Sequence, residues 1–120
     1  MMTGTITDLR PHIQLFIKGE GRQAFAEFTI DTGYSGTMTL PLQDCVALGL
    51  PRVGERESFL AEGSKITLEM YQLFIIWDDT ELPVEILAIG QERLFGTGML
   101  KGYKLCLDFG SDILTIEESS

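Results

Sequence analysis

The sequence is poor in the residues that carry imidazole and metal chemistry. It has one histidine, His12, and two cysteines, Cys45 and Cys106, far apart along the chain. Any Ser-His or Cys-His site would have to use His12, and most histidine-based metal sites are excluded. Two thiols so widely spaced read as buried core residues of a reducing compartment rather than as a disulfide. Cations are scarce as well. Lys and Arg number 9 against 18 Asp and Glu, a formal net charge of −9. A chain this acidic repels phosphate backbones and anionic lipid, so neither nucleic acid nor a membrane surface is expected as a partner. The longest strictly apolar run, Leu73 to Trp77, falls far short of the roughly 20 residues that span a bilayer. Met1 to Arg10 lacks a basic stretch followed by an apolar core, so a cytoplasmic location is expected. There is no low-complexity tract, linker or repeat, and the four prolines are scattered as punctuation. One domain over residues 1–120 is expected, since single domains cover roughly 100–200 residues.

What is present repeats mostly with a period of two, the mark of half-buried strands. Thr3 to Asp8, Ile13 to Lys18 and Ala24 to Ile30 read as three strands, the last two joined by the turn Gly19-Glu20-Gly21-Arg22. Thr37 to Leu40 is a short strand stopped by Pro41. Leu42 to Leu48 switches to helical spacing, and Gly49 is suited to end that helix in a left-handed conformation. Glu57 to Ala61 and Lys65 to Met70 form a hairpin tipped by Glu62-Gly63-Ser64. Leu73 to Trp77 and Val84 to Ile89 are apolar strands around Asp78-Asp79-Thr80. A short helix is predicted to begin at Met99-Leu100. Tyr103 to Phe109 and Ile113 to Glu117 make a last hairpin around Gly110-Ser111-Asp112. Many short strands with glycine turns indicate an all-β sandwich or barrel.

The most informative stretch is Phe28-Thr29-Ile30-Asp31-Thr32-Gly33. A strand that runs into a tight glycine loop presents one carboxylate from a rigid base. Thr32 can hydrogen-bond backbone or a partner loop, and Gly33 lets the chain pass close to the carboxylate. The tripeptide alone also fits a strand-end Asx turn, and a given three-residue string arises by chance in about one to three per cent of chains this long. Three further features accompany it: the continuation Tyr34-Ser35-Gly36-Thr37-Met38-Thr39-Leu40-Pro41, the hairpin tip Ala61-Glu62-Gly63-Ser64, and the apolar-apolar-glycine segment Leu94-Phe95-Gly96.

With these features the chain resembles the retropepsin-like aspartic proteases, single-domain dimeric peptidases, over about Thr3 to Glu117. It is most similar to a prokaryotic branch with an aromatic residue after Asp-Thr-Gly, through Leu40-Pro41, Leu48-Gly49-Leu50 and Gly102-Tyr103-Lys104-Leu105. The resemblance implies a closed all-β acid-protease barrel with one or two short helices. It implies an aspartic endopeptidase acting on extended polypeptide, with no metal or cofactor. Asp31 would be the catalytic acid and base. Thr32 and Gly33 would complete the active-site loop, with Thr32 locking the two loops of a homodimer. Tyr34 and Ser35 would contact substrate, and Glu62, Gly63 and Ser64 would form the tip of a flap that closes over it. Peptide hydrolysis needs one carboxylate as base and one carboxylic acid, and a pair sharing a proton supplies both. The chain offers one such loop, so a second copy must bring the second Asp31. The segment Ile113 to Glu117 is expected to join an interface sheet with the N-terminal strand.

The pattern also departs from viral relatives. Tyr34 is bulky where they carry a small residue, and it either lines the substrate pocket or packs beside the loop as a core aromatic. Ser35 and Thr97 replace both members of an Asp–Arg ion pair. An acidic Glu62 at the flap tip would raise the pKa values of an aspartate pair if close to it. Two rival readings use the same fold: a catalytically silent dimerisation or peptide-binding module, and a small-ligand barrel with Asp31 as a binding carboxylate. Elsewhere, Asp78, Asp79 and Glu81 could suggest a hard cation, though a solvated turn accounts for them. Gly96-Thr97-Gly98 lacks the lysine of a phosphate loop. His12 is expected at the surface. Cys45 and Cys106 are expected in the core, and Met70, Tyr71, Phe74 and Trp77 in the barrel interior.

Overall fold

Alternating side chains fold the first quarter of the chain into two successive hairpins. In the computed structural model, which describes residues 1–120, β1 (Met2–Thr7) turns into β2 (Arg10–Lys18) and β2 into β3 (Gln23–Asp31). Ile13, Leu15 and Ile17 of β2 and Ala26, Phe28 and Ile30 of β3 are buried, every second residue, as the pleat requires. The β1–β2 turn places Asp8 and Leu9 at φ of 51° and 65°, the left-handed geometry that matches strand twist in a two-residue hairpin. Then come β4 (Met38–Leu40), α1 (Leu42–Ala47), β5 (Arg52–Phe59), β6 (Lys65–Trp77), β7 (Thr80–Ala88) and β8 (Leu94–Gly96). A single 3-10 turn, Thr97–Met99, leads to β9 (Tyr103–Asp108) and β10 (Ile113–Glu118).

Six of these strands close a barrel in the order β2, β3, β8, β4, β7, β6, with the seam sealed where Ile17 and Lys18 of β2 pair with Ile75 and Phe74 of β6. Closure removes the exposed edges that an open sheet would carry. Phe28, Met38, Leu40, Leu73, Ile75, Ile86 and Phe95 fill the interior with almost no exposure. Trp77 packs against Phe95 with tilted rings and edge-on against Tyr103, with both pairs of ring centroids 5.4 Å apart. Outside the ring, β5 extends β6 as the outer strand of a long hairpin, and β1, β10 and β9 extend β2. The all-β barrel with one short helix is the architecture expected from the sequence. Gly49 ends α1 at φ 64°.

Several local expectations need correction. Residues 65–77 form one strand of 13 residues, not two. Tyr71 and Gln72 keep the alternation running because they pair with Ile86 and Glu85 of β7. Alternation also turns Phe74 outward, between buried Leu73 and Ile75. Cys106 is exposed on β9, whereas Cys45 is buried on α1. His12 is largely covered: its side chain is 15% exposed, and Nδ1 lies 3.3 Å from Thr29 Oγ1. β10 pairs with β1, side by side as expected from the sequence, with Met2 opposite Ile116 and Thr5 opposite Ile113.

Candidate active site

Asp31 is the last residue of β3, one step beyond buried Ile30, so it emerges from the barrel with its backbone still in the sheet. Its Oδ1 accepts the Gly33 N–H at 2.9 Å, and its carbonyl accepts the Tyr34 N–H at 3.1 Å. The carboxylate is thus oriented by its own loop, the Asx geometry that aspartate favours. Thr32, Gly33 and Ser35 are exposed, and the hydroxyls of Thr32 and Ser35 have no partner within the chain.

The loop is clamped from the far side by β8. That strand runs parallel to β3, with Gly96 opposite Asp31, and antiparallel to β4, with Phe95 opposite Met38. The segment thereby passes between the two arms of the Asp31 loop. Gly96 N–H donates to Thr37 O at 2.6 Å, Thr97 N–H to Tyr34 O at 2.8 Å and Gly98 N–H to Gly36 O at 2.9 Å. The Thr97 hydroxyl also donates to Tyr34 O at 3.3 Å. A Cβ on Gly96 would press on Gly36 O and lie 2.6 Å from Tyr34 Cδ2. Leu94-Phe95-Gly96 therefore needs its glycine for space: its φ of −92° is open to any residue.

Asp31 and Thr32 line a pocket of about 400 Å³ together with Leu9, Arg10, Glu92 and Leu107. The Arg10 guanidinium is committed to Glu92 at 3.1 Å. This pair lines the same pocket as Asp31. Sequence reading missed Leu9, Arg10, Glu92 and Leu107. They come from three distant segments, and no local pattern joins them.

Tyr34 borders a second groove, of about 470 Å³, with Arg56, Met70, Glu85, Ile86 and Met99. Its phenol lies across Gly36 and its ring edge against Gly96. Burial raises the pKa of the Tyr34 hydroxyl, and the Arg56 guanidinium opposes that shift. Tyr34 is a wall of this groove and does not line the pocket that holds Asp31.

The hairpin of β5 and β6 carries the expected glycine tip. Gly63 sits at φ 97°, its N–H donates to Leu60 O at 2.9 Å, and Leu60 N–H donates to Ser64 O at 2.8 Å. The Ser64 hydroxyl donates to the Glu62 carboxylate. That bond, aided by a backbone N–H, holds the Glu62 carboxyl below its usual range. Glu62, Gly63 and Ser64 line neither the Asp31 pocket nor the Tyr34 groove. Phe59 and Leu60 beside the tip are exposed apolar residues.

The weaker metal candidates disperse. Glu81 pairs with Lys18 at 3.4 Å, and Asp78 lies 3.9 Å from the N-terminal amine. No group of three or more His, Cys, Asp or Glu side chains is placed to hold a metal ion. No helix is long and apolar enough to cross a membrane.

No family model and no curated protein matches the sequence. Among solved structures, the chain is similar to the crystal structure of a retropepsin-like aspartic protease from Rickettsia conorii. The two share 18% sequence identity at a TM-score of 0.60, over 96% of this chain and 87% of that one. At that identity the likeness speaks for architecture. The strand order around the closed barrel and the clamped Asp-Thr-Gly loop give this chain the retropepsin-like fold.

Proposed function

We propose that the chain is an aspartic endopeptidase that works as a homodimer, with the Asp31 carboxylates of two copies forming the catalytic pair. The observation that carries this reading is the Asp31 loop. A carboxylate emerges half-buried from a rigid strand, is oriented by Gly33 N–H, and is backed by the threaded β8 segment. A loop held this firmly is what a reaction demanding fixed carboxyl geometry needs. The free hydroxyl of Thr32 beside it supports a contact with a second loop.

In this reading a water molecule lies between the two carboxyls, which hold one proton between them because two anions side by side are costly. The ionised carboxylate takes a proton from the water as its oxygen attacks the peptide carbonyl carbon. The protonated carboxyl gives its proton to the carbonyl oxygen. Collapse of the tetrahedral intermediate breaks the C–N bond, with a proton delivered to the leaving amine. The hairpin of β5 and β6 closes over the peptide and excludes water. The cycle uses no metal or cofactor.

The test is cleavage of an unfolded protein between pH 4 and pH 7 by wild type and Asp31→Asn, with oligomeric state measured by sedimentation. Asparagine retains the Oδ1 acceptor for Gly33 N–H, so the variant keeps its loop and fold and loses cleavage. Activity that survives the substitution, or a strictly monomeric active protein, overturns the reading. A folded dimer that cleaves nothing marks a silent peptide-binding module. The rate is expected to fall above neutral pH as the shared proton is lost, and a flat rate up to pH 9 contradicts the scheme.

A further inference from the structure

The two faces of the β5–β6 hairpin differ in charge, and a bulge is the cause. One face is laced with ion pairs: Arg52 with Glu55 and Glu69, at 3.3 and 3.5 Å, and Lys65 with Glu57 at 2.8 Å. In an uninterrupted strand, Arg52 and Arg56 would share a face, because side chains alternate with a period of two. The register shifts between Arg52 and Gly54. That shift, a β-bulge, moves Arg52 to the face of Glu55 and Glu69 and leaves Arg56 on the other. Arg56 lies opposite Leu68. Its face of the hairpin carries Ile66, Leu68 and Met70, all half-buried, and no acidic residue.

Arg56 is consequently the one arginine of five without a partner. Arg10, Arg52 and Arg93 pair with carboxylates, and Arg22 donates to Ala47 O at 2.7 Å. Arg56 stands at the groove of about 470 Å³ bounded by Tyr34, Met70, Ile86 and Met99. Glu85 also borders the groove, yet no ion pair joins it to Arg56. The groove therefore offers apolar walls for a methylene stem and the free Arg56 guanidinium for its end, with the exposed Glu85 carboxylate also on its border.

We propose that Arg56 makes this groove selective for an acidic side chain of the bound peptide, its stem against Met70 and Met99 and its carboxylate on the guanidinium. The inference rests on the endopeptidase reading. In a two-fold dimer the groove occurs twice, so acidic residues are favoured on both sides of the scissile bond. The fixed fork of arginine suits a carboxylate.

The experiment compares matched peptides carrying Glu, Gln or Lys at each position around one cleavable bond. Wild type should prefer Glu over Gln by about fivefold in kcat/KM at one position on each side, the scale of a partly exposed ion pair. The preference should shrink in 1 M salt. Arg56→Gln should bring the Glu-to-Gln ratio to about one, and Arg56→Glu should transfer the preference to Lys, which loss of a merely structural arginine would not do. Wild type that cleaves all three peptides equally, or an unchanged ratio in Arg56→Gln, overturns the role of Arg56 while the peptidase stands. Failure of dimeric wild type to cleave any peptide overturns the peptidase reading and this inference with it.

Discussion

Replacing Gly96 by alanine adds one methyl group where β8 threads the Asp31 loop. That methyl would press on Gly36 O, with Tyr34 Cδ2 at 2.6 Å and Tyr34 O at 2.8 Å. Two of these three atoms belong to backbone, and the same backbone is tied down by hydrogen bonds from Gly96, Thr97 and Gly98. Relief requires β8 or the Asp31 loop to move and to give up at least one of those bonds. Overpacking in a close-packed interior costs about 1–3 kcal/mol, and a lost hydrogen bond adds about 1 kcal/mol. The expected destabilisation is about 3 kcal/mol, or a fall in Tm of roughly 12 °C for a domain of this size. Gly54→Ala is the internal control, because a Cβ there meets nothing within 4 Å. Urea unfolding of both variants against wild type measures the difference. If Gly96→Ala unfolds within about 0.5 kcal/mol of Gly54→Ala, the range of an ordinary surface substitution, the steric account of the clamp is wrong. A displaced Asp31 loop should also lower any peptidase activity of the surviving folded protein.

Two further outcomes are expected. Thr39 is buried, and its Oγ1 accepts the Leu94 N–H at 3.1 Å. Thr39→Val keeps the shape and strands that N–H, at a cost of about 2 kcal/mol, while Thr39→Ser retains the bond; equal stability of the two variants by urea unfolding would refute this. The thiols should separate cleanly. Burial pushes the Cys45 thiol up from 9.0 to about 11, while Cys106 is exposed. A thiol reagent at pH 8 should therefore titrate one group in the native protein and the second only in denaturant. Because the folded-state pKa of Cys45 is the higher, its contribution to stability is intact below about pH 9 and is lost as pH rises towards 11. Prompt reaction of both thiols in the native state would show that α1 opens readily.

Most of the strands and the candidate carboxylate were legible in the sequence, because their signals are local. Period-two alternation marks Ile13 to Lys18 and Ala24 to Ile30 whatever they pair with. Gly49 and Gly63 announce chain reversals through their own φ angles. Asp31-Thr32-Gly33 at the end of an apolar strand names its own loop. The sequence alone thus determined an all-β chain with one oriented aspartate and a glycine-tipped hairpin. Tertiary structure decided the rest. The three residues of β8 become a strand only because β3 and β4 accept them on either side. Cys106 lies outside because β9 is an outer strand, and Phe74 because β6 runs unbroken past Tyr71. Arg10 and Glu92 meet beside Asp31 across most of the chain's length. A bulge between Arg52 and Gly54 decides which arginine is left unpaired. Each of these depends on which distant strand supplies the neighbouring hydrogen bonds, and pairing across such separations leaves no periodicity in the sequence near either partner.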